Sequence, residues 1–328
     1  MSRLSKDELF SIVLKAITES GWEARILQGT HPFQLLISHD DVSEKIRIYI
    51  WNITHGGGAA RAADEYRIQI TGVDRIETGT TFRTLLLGWD DRHKVFAGWN
   101  AGRYETFGAS PSLQVKDGTL ASALKQGLAI QPKETDEKGN VTEVVVAFKP
   151  EFFGVYASHL DNYHQPQISK TEASLLERVA TPKPPTDQEL ATLSEDRRHV
   201  IREIEQAVRN GRFRKIVVEA YEQRCAVCGL NLGIIHAAHI IPVEEKGTDE
   251  INNGIALCPN HHAAFDRDII VIREDYTIIL NSRKAKELPK LMNDNIKAIT
   301  VPTDGRLQPN PEYLRRRIQL HGIVLGAF

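Results

Sequence analysis

All three cysteines of this 328-residue chain fall between positions 225 and 258. Cys225 and Cys228 stand as C-x2-C, and Cys258 and His261 follow as C-x2-H. Each short spacing lets one tight turn offer two donors to one ion, and two such turns close a tetrahedron. Thiolate and imidazole are the donors zinc prefers, and four protein ligands leave no open position. The expected ion is therefore a structural Zn2+, not a catalytic one. The competing reading is three buried thiols packing as small apolar residues. Against it, no cysteine lies outside the cluster.

A structural ion leaves His239, Asn253 and His262 unaccounted for. His239 sits in HAAHIIP, an apolar run that stops at Pro242. Asn253 lies in INNGIAL, just before a strand-like stretch, and His262 opens HAAFDRD directly after the second knuckle. The steps between these three residues are 14 and 9. With the segments A-H-I-x-P, N-G-x-A-L-C and H-H-x-x-F-D, the stretch from about 210 to 275 resembles the HNH endonuclease family, in the branch found in bacterial restriction enzymes. The resemblance implies a ββα-metal finger and phosphodiester cleavage to 5′-phosphate and 3′-hydroxyl ends. It also implies roles. His239 would be the general base, since an imidazole titrates near neutrality. His262 would bind a catalytic divalent ion, Mg2+ or Mn2+, with Ni2+ also tolerated by imidazole, that stabilises the leaving oxygen. Asn253 would hold the loop that bears the base.

One position departs from the family pattern. Many HNH enzymes carry an acidic metal ligand immediately before the base histidine, and here that position is Ala238. Asp266, four residues after His262 and on the same face of a regular helix, is the leading replacement. His236 is the other candidate. It ranks second because residues three apart in a strand point to opposite faces. His261 and His262 could also exchange roles. The C-x2-H spacing favours His261 for zinc.

These donors need a scaffold. Residues 210–275 fall in a C-terminal part, 191–328, that reads as helices plus the finger. SEDRRHVIREIEQAVRN and FRKIVVEAYEQR are expected as two helices leading into the cysteines. Upstream, HQPQISKTEASLLERVATPKPPTDQE carries Pro166, Pro182, Pro184 and Pro185, so 161–190 is expected as a stiff linker. Residues 1–160 read as a β-rich α+β domain with a few helices. Leu9, Ile12, Val13, Ala16 and Ile17 mark an N-terminal amphipathic helix. EKIRIYIWNIT alternates as a strand, and TFRTLLLGWD with KVFAGWNA reads as a hairpin. SLQV and VTEVVVAF are further strands, with GTLASALKQG a short helix between them. The glycine-rich run HGGGAARAADE at 55–65 is expected as a surface loop. The fold class is α+β, on an antiparallel or mixed sheet.

The formal net charge is −2, so the chain as a whole is no basic nucleic-acid binder. Local arginine runs, at 197–224 and at Arg315, Arg316 and Arg317, could still meet phosphates. Duplex DNA is the expected partner, with modified DNA the leading target. No apolar run is long enough for a membrane span, and few cysteines suit a reducing compartment, so a cytoplasmic location is expected. In the N-terminal domain, Trp89, Arg92, Trp99, Arg103 and Tyr104 combine aromatic faces with basic groups that could stack on an extruded base. The opposing reading places these aromatics in the core. A homodimer is expected for double-strand cutting. Two rival functions stay open. One is an HNH nuclease licensed by a small signal or partner at the N-terminal domain. The other is a non-catalytic zinc-finger module that only binds DNA.

Overall fold

The computed structural model describes residues 3–39, 42–55, 62–108, 111–165, 167–281 and 297–323. Residues 56–61, most of the expected glycine-rich loop, lie outside them. Helix α1 (Lys6–Glu19) starts where Ser5 and Glu8 form a capping box, and its buried stripe is Leu9, Val13, Ala16 and Ile17. A seven-stranded sheet follows in the order β1-β2-β3-β6-β7-β10-β9. Its strands are β1 (Glu23–Gln28), β2 (Phe33–His39), β3 (Val42–Asn52), β6 (Arg83–Asp90), β7 (Val95–Trp99), β9 (Leu128–Thr135) and β10 (Val141–Phe148). Among the described residues, only β3 and β6 pair in parallel, from Ile46 opposite Arg83 to Asn52 opposite Trp89. The expected hairpin is β6–β7, closing with Asp90 opposite Val95. A small second sheet joins β4 (Thr54–His55), β5 (Glu65–Gln69) and β8 (Ser112–Lys116), with α2 (Asp117–Gln126) after it.

Strand alternation builds two cores on one sheet. Ile46, Ile48 and Ile50 of β3 join Leu85, Leu87 and Trp89 of β6 in the core shared with α1. Tyr49, Trp51, Leu86 and Trp99 enter the opposite core, shared with Ile68 and Val115 of the small sheet. Successive side chains point to opposite faces, so a strand covered on both sides is apolar at nearly every position.

The expected linker is a correction. Among the described residues of 161–190, α5 (Lys170–Arg178) and α6 (Asp187–Leu190) are helical, after α3 (Phe153–Ser158) and α4 (Leu160–Tyr163). Ala173, Leu175, Leu176 and Val179 are buried in the same core as α1. The proline run is pinned as well. Arg178 donates to the carbonyls of Lys183 and Pro184, each at 3.3 Å, and pairs with Glu189. The apolar stripe of α5 outweighs what the prolines suggest. The two expected helices are one, α7 (Glu195–Ala220). Gly211 does not break it, because one glycine inside a helix costs only about 1 kcal/mol.

The chain divides into two compact units, Met1–Val208 and Arg209–Phe328, so the boundary falls within α7 rather than at 160–190. In the second unit β11 (His236–His239) pairs antiparallel with β12 (Gly254–Leu257), and α8 (Pro259–Asp266) follows. After them come the pair β13 (Ile270–Ile272) and β14 (Ile278–Leu280), then α9 (Pro311–Leu320). Phe213, Val217, Ala238, Ile240, Ile255, Leu257, Phe265 and Leu314 share its core. Among the described residues no helix is long and apolar enough to cross a membrane.

Candidate functional site

The first knuckle is a tight turn. The Gly229 N–H donates to the Cys225 carbonyl at 2.8 Å, and Gly229 adopts φ +69°, a left-handed conformation that glycine takes without steric cost. In the second knuckle Cys258 precedes α8 as its N-cap, with Pro259 opening the helix. One ligand atom from each of Cys225, Cys228, Cys258 and His261 lies within 4.8 Å of the others. His261 Nδ1 faces Cys258 Sγ at 3.2 Å and Cys225 Sγ at 3.5 Å. Burial pushes the Cys225 thiol up, but hydrogen bonding to His261 and to nearby backbone N–H groups outweighs it and brings it down to about 6. Burial, and then the neighbouring Cys225 and Cys258, push Cys228 up to about 12. The donor set and its spacing fit zinc.

The second group stands on the same ββα unit. His239 ends β11 opposite Gly254 of β12. Its Nε2 lies 3.1 Å from Asp249 Oδ1, and its ring stacks on Phe213 with centroids 4.0 Å apart and planes 10° from parallel. A proton donated from Nε2 to Asp249 leaves Nδ1 as the lone-pair nitrogen. Gly254 makes room for this stack, since a Cβ there would come within 2.9 Å of Phe213 Cζ. Asn253 is fully buried. Its Oδ1 accepts from Ile241 N at 2.9 Å, and its Nδ2 donates to the carbonyls of Ile241 at 3.0 Å and Thr248 at 2.7 Å. The amide thus spans the loop between His239 and Asp249.

His262 follows His261 on α8, where consecutive side chains diverge by about 100°. His261 is buried towards the thiols, whereas His262 is partly exposed. Its Nδ1 lies 3.4 Å from His236 Nδ1, and its Nε2 lies 3.4 Å from Asp266 Oδ2. Both candidates for the missing acidic ligand therefore reach His262, on opposite ring nitrogens.

Sequence reasoning passed over Asp249, Phe213 and the role of Arg317. Arg317 is buried and donates to the carbonyls of Ile240 at 3.0 Å and Phe265 at 2.9 Å, with Asp268 Oδ1 at 3.2 Å. Its guanidinium also stacks 4.0 Å over the Phe265 ring. It ties the end of β11 to the end of α8, so it is a clasp of the fold. Arg315 pairs with Glu312, and Arg316 donates to the Glu245 carbonyl at 3.3 Å. The only advance signal for Asp249 was a carboxylate in the short loop between His239 and Asn253.

The aromatic groups proposed to read a base are corrected. Trp89 is 4% exposed and Trp99 is 0% exposed, on opposite faces of the large sheet. Their indole N–H groups are engaged with Asp91 and with the Gln114 carbonyl. Arg92 pairs with Asp90 and Asp117 and stacks 3.6 Å over Tyr66. Arg103 is held by Glu134 and the Thr142 carbonyl, and Tyr104 by buried Glu143 and Lys133. These side chains are committed to internal partners, so neither indole offers a face for stacking.

Residues 225–273 match the family model described as HNH endonuclease, a stretch that holds both knuckles, His239, Asn253 and His262. This segment is an HNH endonuclease domain. Residues 44–157, upstream of the HNH domain, match the family model described as Methylase-associated X1. No curated protein sequence matches the chain. A solved structure titled modification dependent TagI restriction endonuclease is similar at 13% identity, over 84% of this chain and 81% of that one, with a TM-score of 0.31.

Proposed function

We infer that the chain is a metal-dependent DNA endonuclease of restriction type, with His239 as general base. The observation that carries this reading is the oriented His239 ring, held at Nε2 by Asp249 and on one face by Phe213, within a matched HNH domain. Nδ1 would take the proton of the attacking water, and Asp249 would stabilise the imidazolium that forms. Asn253 would keep the loop between His239 and Asp249 in place. His262 would hold the catalytic divalent ion, which when bound supplies charge stabilisation at the scissile phosphate and the leaving oxygen. The Cys3His set would hold structural zinc. The first unit would select the DNA. Support for modified DNA as target is the match of 44–157 to a methylase-associated family beside an HNH domain. A duplex has two strands, so cutting both is expected to require a second copy of the chain.

The test is cleavage of unmodified, cytosine-modified and phosphorothioated duplexes with Mg2+ or Mn2+, by wild type and by His239→Ala. The expected result is cutting of a modified DNA, lowered about 10²- to 10⁴-fold by the substitution, as for loss of a general base. Zinc content should not change. Equal cutting of all DNAs would remove the modification reader and leave the nuclease. DNA binding without cutting in any metal would overturn the enzyme and favour a finger that only binds.

A further inference from the structure

We propose that the second protein ligand of the catalytic ion is His236 and that Asp266 is not a ligand, so that the ion sits between two imidazoles. The proposal rests on the reading of His262 as an ion ligand. It identifies the partner of His262 and the kind of ion the pair would take.

Three observations carry it. First, the facing nitrogens have ligand spacing. His236 Nδ1 and His262 Nδ1 are 3.4 Å apart, with ring planes at 89°. Two imidazole nitrogens bound to one ion at about 2.0–2.1 Å and at a tetrahedral angle lie about 3.3–3.4 Å apart. Second, the other nitrogen of His262 meets a carboxylate, with Nε2 3.4 Å from Asp266 Oδ2. A histidine that ligates through one nitrogen almost always donates its other N–H to a carboxylate, a carbonyl or water, which fixes the tautomer. Asp266 stands where that outer carboxylate belongs, and its side chain is 54% exposed. An ion shared with Asp266 would instead have to sit on the opposite edge of the ring, away from His236. Third, His236 is on a paired strand. It opens β11 opposite Leu257 and lies two residues before buried Ala238, so both side chains fall on one strand face. The ranking by strand alternation compared His236 with His239. The helix bearing His262 needs only one strand residue facing it, and that residue can differ from the base.

The chemistry of the ion follows. Two imidazoles with no protein carboxylate suit Co2+, Ni2+ or Zn2+ best, with Mn2+ held more weakly and Mg2+, which prefers oxygen ligands, least of all. Asp266 is a positioning residue that acts through His262.

The test uses the full-length chain holding one zinc per chain, with one equivalent of Mn2+. The zinc is diamagnetic, so pulsed electron paramagnetic resonance can count the nitrogens bound to manganese. The expected count is two in wild type, one in His236→Ala and His236→Gln, and two in Asp266→Asn. Mn2+ affinity should fall at least tenfold in both His236 variants, with zinc content and melting temperature unchanged. One bound nitrogen in wild type, with manganese lost in Asp266→Asn and kept in His236→Ala, would overturn the proposal. So would unchanged Mn2+ affinity in both His236 variants. If those variants also still cut DNA, the nuclease reading would stand without the pair. If Mn2+ bound through two nitrogens in a protein that never cuts, the pair would stand and the nuclease reading would fall. If Mn2+ did not bind wild type, the pair and the assignment of His262 would both fall.

Discussion

Two sets of histidines share the ββα unit, and their surroundings differ. His261 is 4% exposed and faces two thiols, in a set of four protein donors. The side chains of His239 and His262 remain 22% and 27% exposed, each with a carboxylate beside one ring nitrogen. Four protein donors leave no position for substrate, so an ion held there would stabilise the fold. In the other set each ring has a nitrogen that its carboxylate does not face, which the proposed base and ion ligand would use. His261 and His262 are sequence neighbours, so about 100° of rotation around one helix separates these two kinds of chemistry. Cys225, Cys258 and His261 are buried beside the core that holds Phe265, whereas Cys228 is exposed.

The contrast can be broken most severely at the four-donor set. Cys225→Ser should abolish tight zinc binding, about one ion per chain in wild type, and unfold residues 209–328. The energy at stake is about 10 kcal/mol or more, as in zinc modules whose folding is metal binding. Metal analysis with limited proteolysis reads it. A stable, protease-resistant variant would show that packing alone holds this unit. Arg317→Met probes the same unit without touching a metal ligand. It takes the guanidinium from two carbonyls and from Asp268, which keeps His321 at 2.7 Å, at a cost of about 3 kcal/mol in a denaturant melt. Zinc should remain bound in the folded fraction. A smaller change is expected from Asp249→Asn, which sharpens the open side. Without the carboxylate charge, kcat for cleavage should fall about tenfold, or about 1.4 kcal/mol, with KM for DNA and zinc content unchanged. A rise in KM alone would place Asp249 in DNA binding instead.

The limits of the sequence show at particular residues. The knuckles were legible because two donors within one turn are local geometry. The strands of the first unit were legible where apolar residues alternate or run together, as in β3, β6 and β10. The proline run was misleading. Local composition suggested a spacer, but Leu175 and Leu176 on α5 draw the segment into the core. Trp89 and Trp99 were misjudged for a related reason: an aromatic beside arginines looks the same in sequence whether it faces solvent or a second layer. The small sheet that covers Trp99 is assembled from residues 54–69 and 112–116.

The sequence by itself determined the donor set, the order His239, Asn253, His262, and the mixed α and β character. These depend on residue type and short spacing, which the covalent chain enforces. Only the tertiary structure decided that Phe213 and Asp249 flank His239, that His236 and Asp266 approach opposite nitrogens of His262, and that the proline-rich segment belongs to the first unit. Those relations depend on which faces pack together, and packing joins residues whose separation along the chain sets no distance between them.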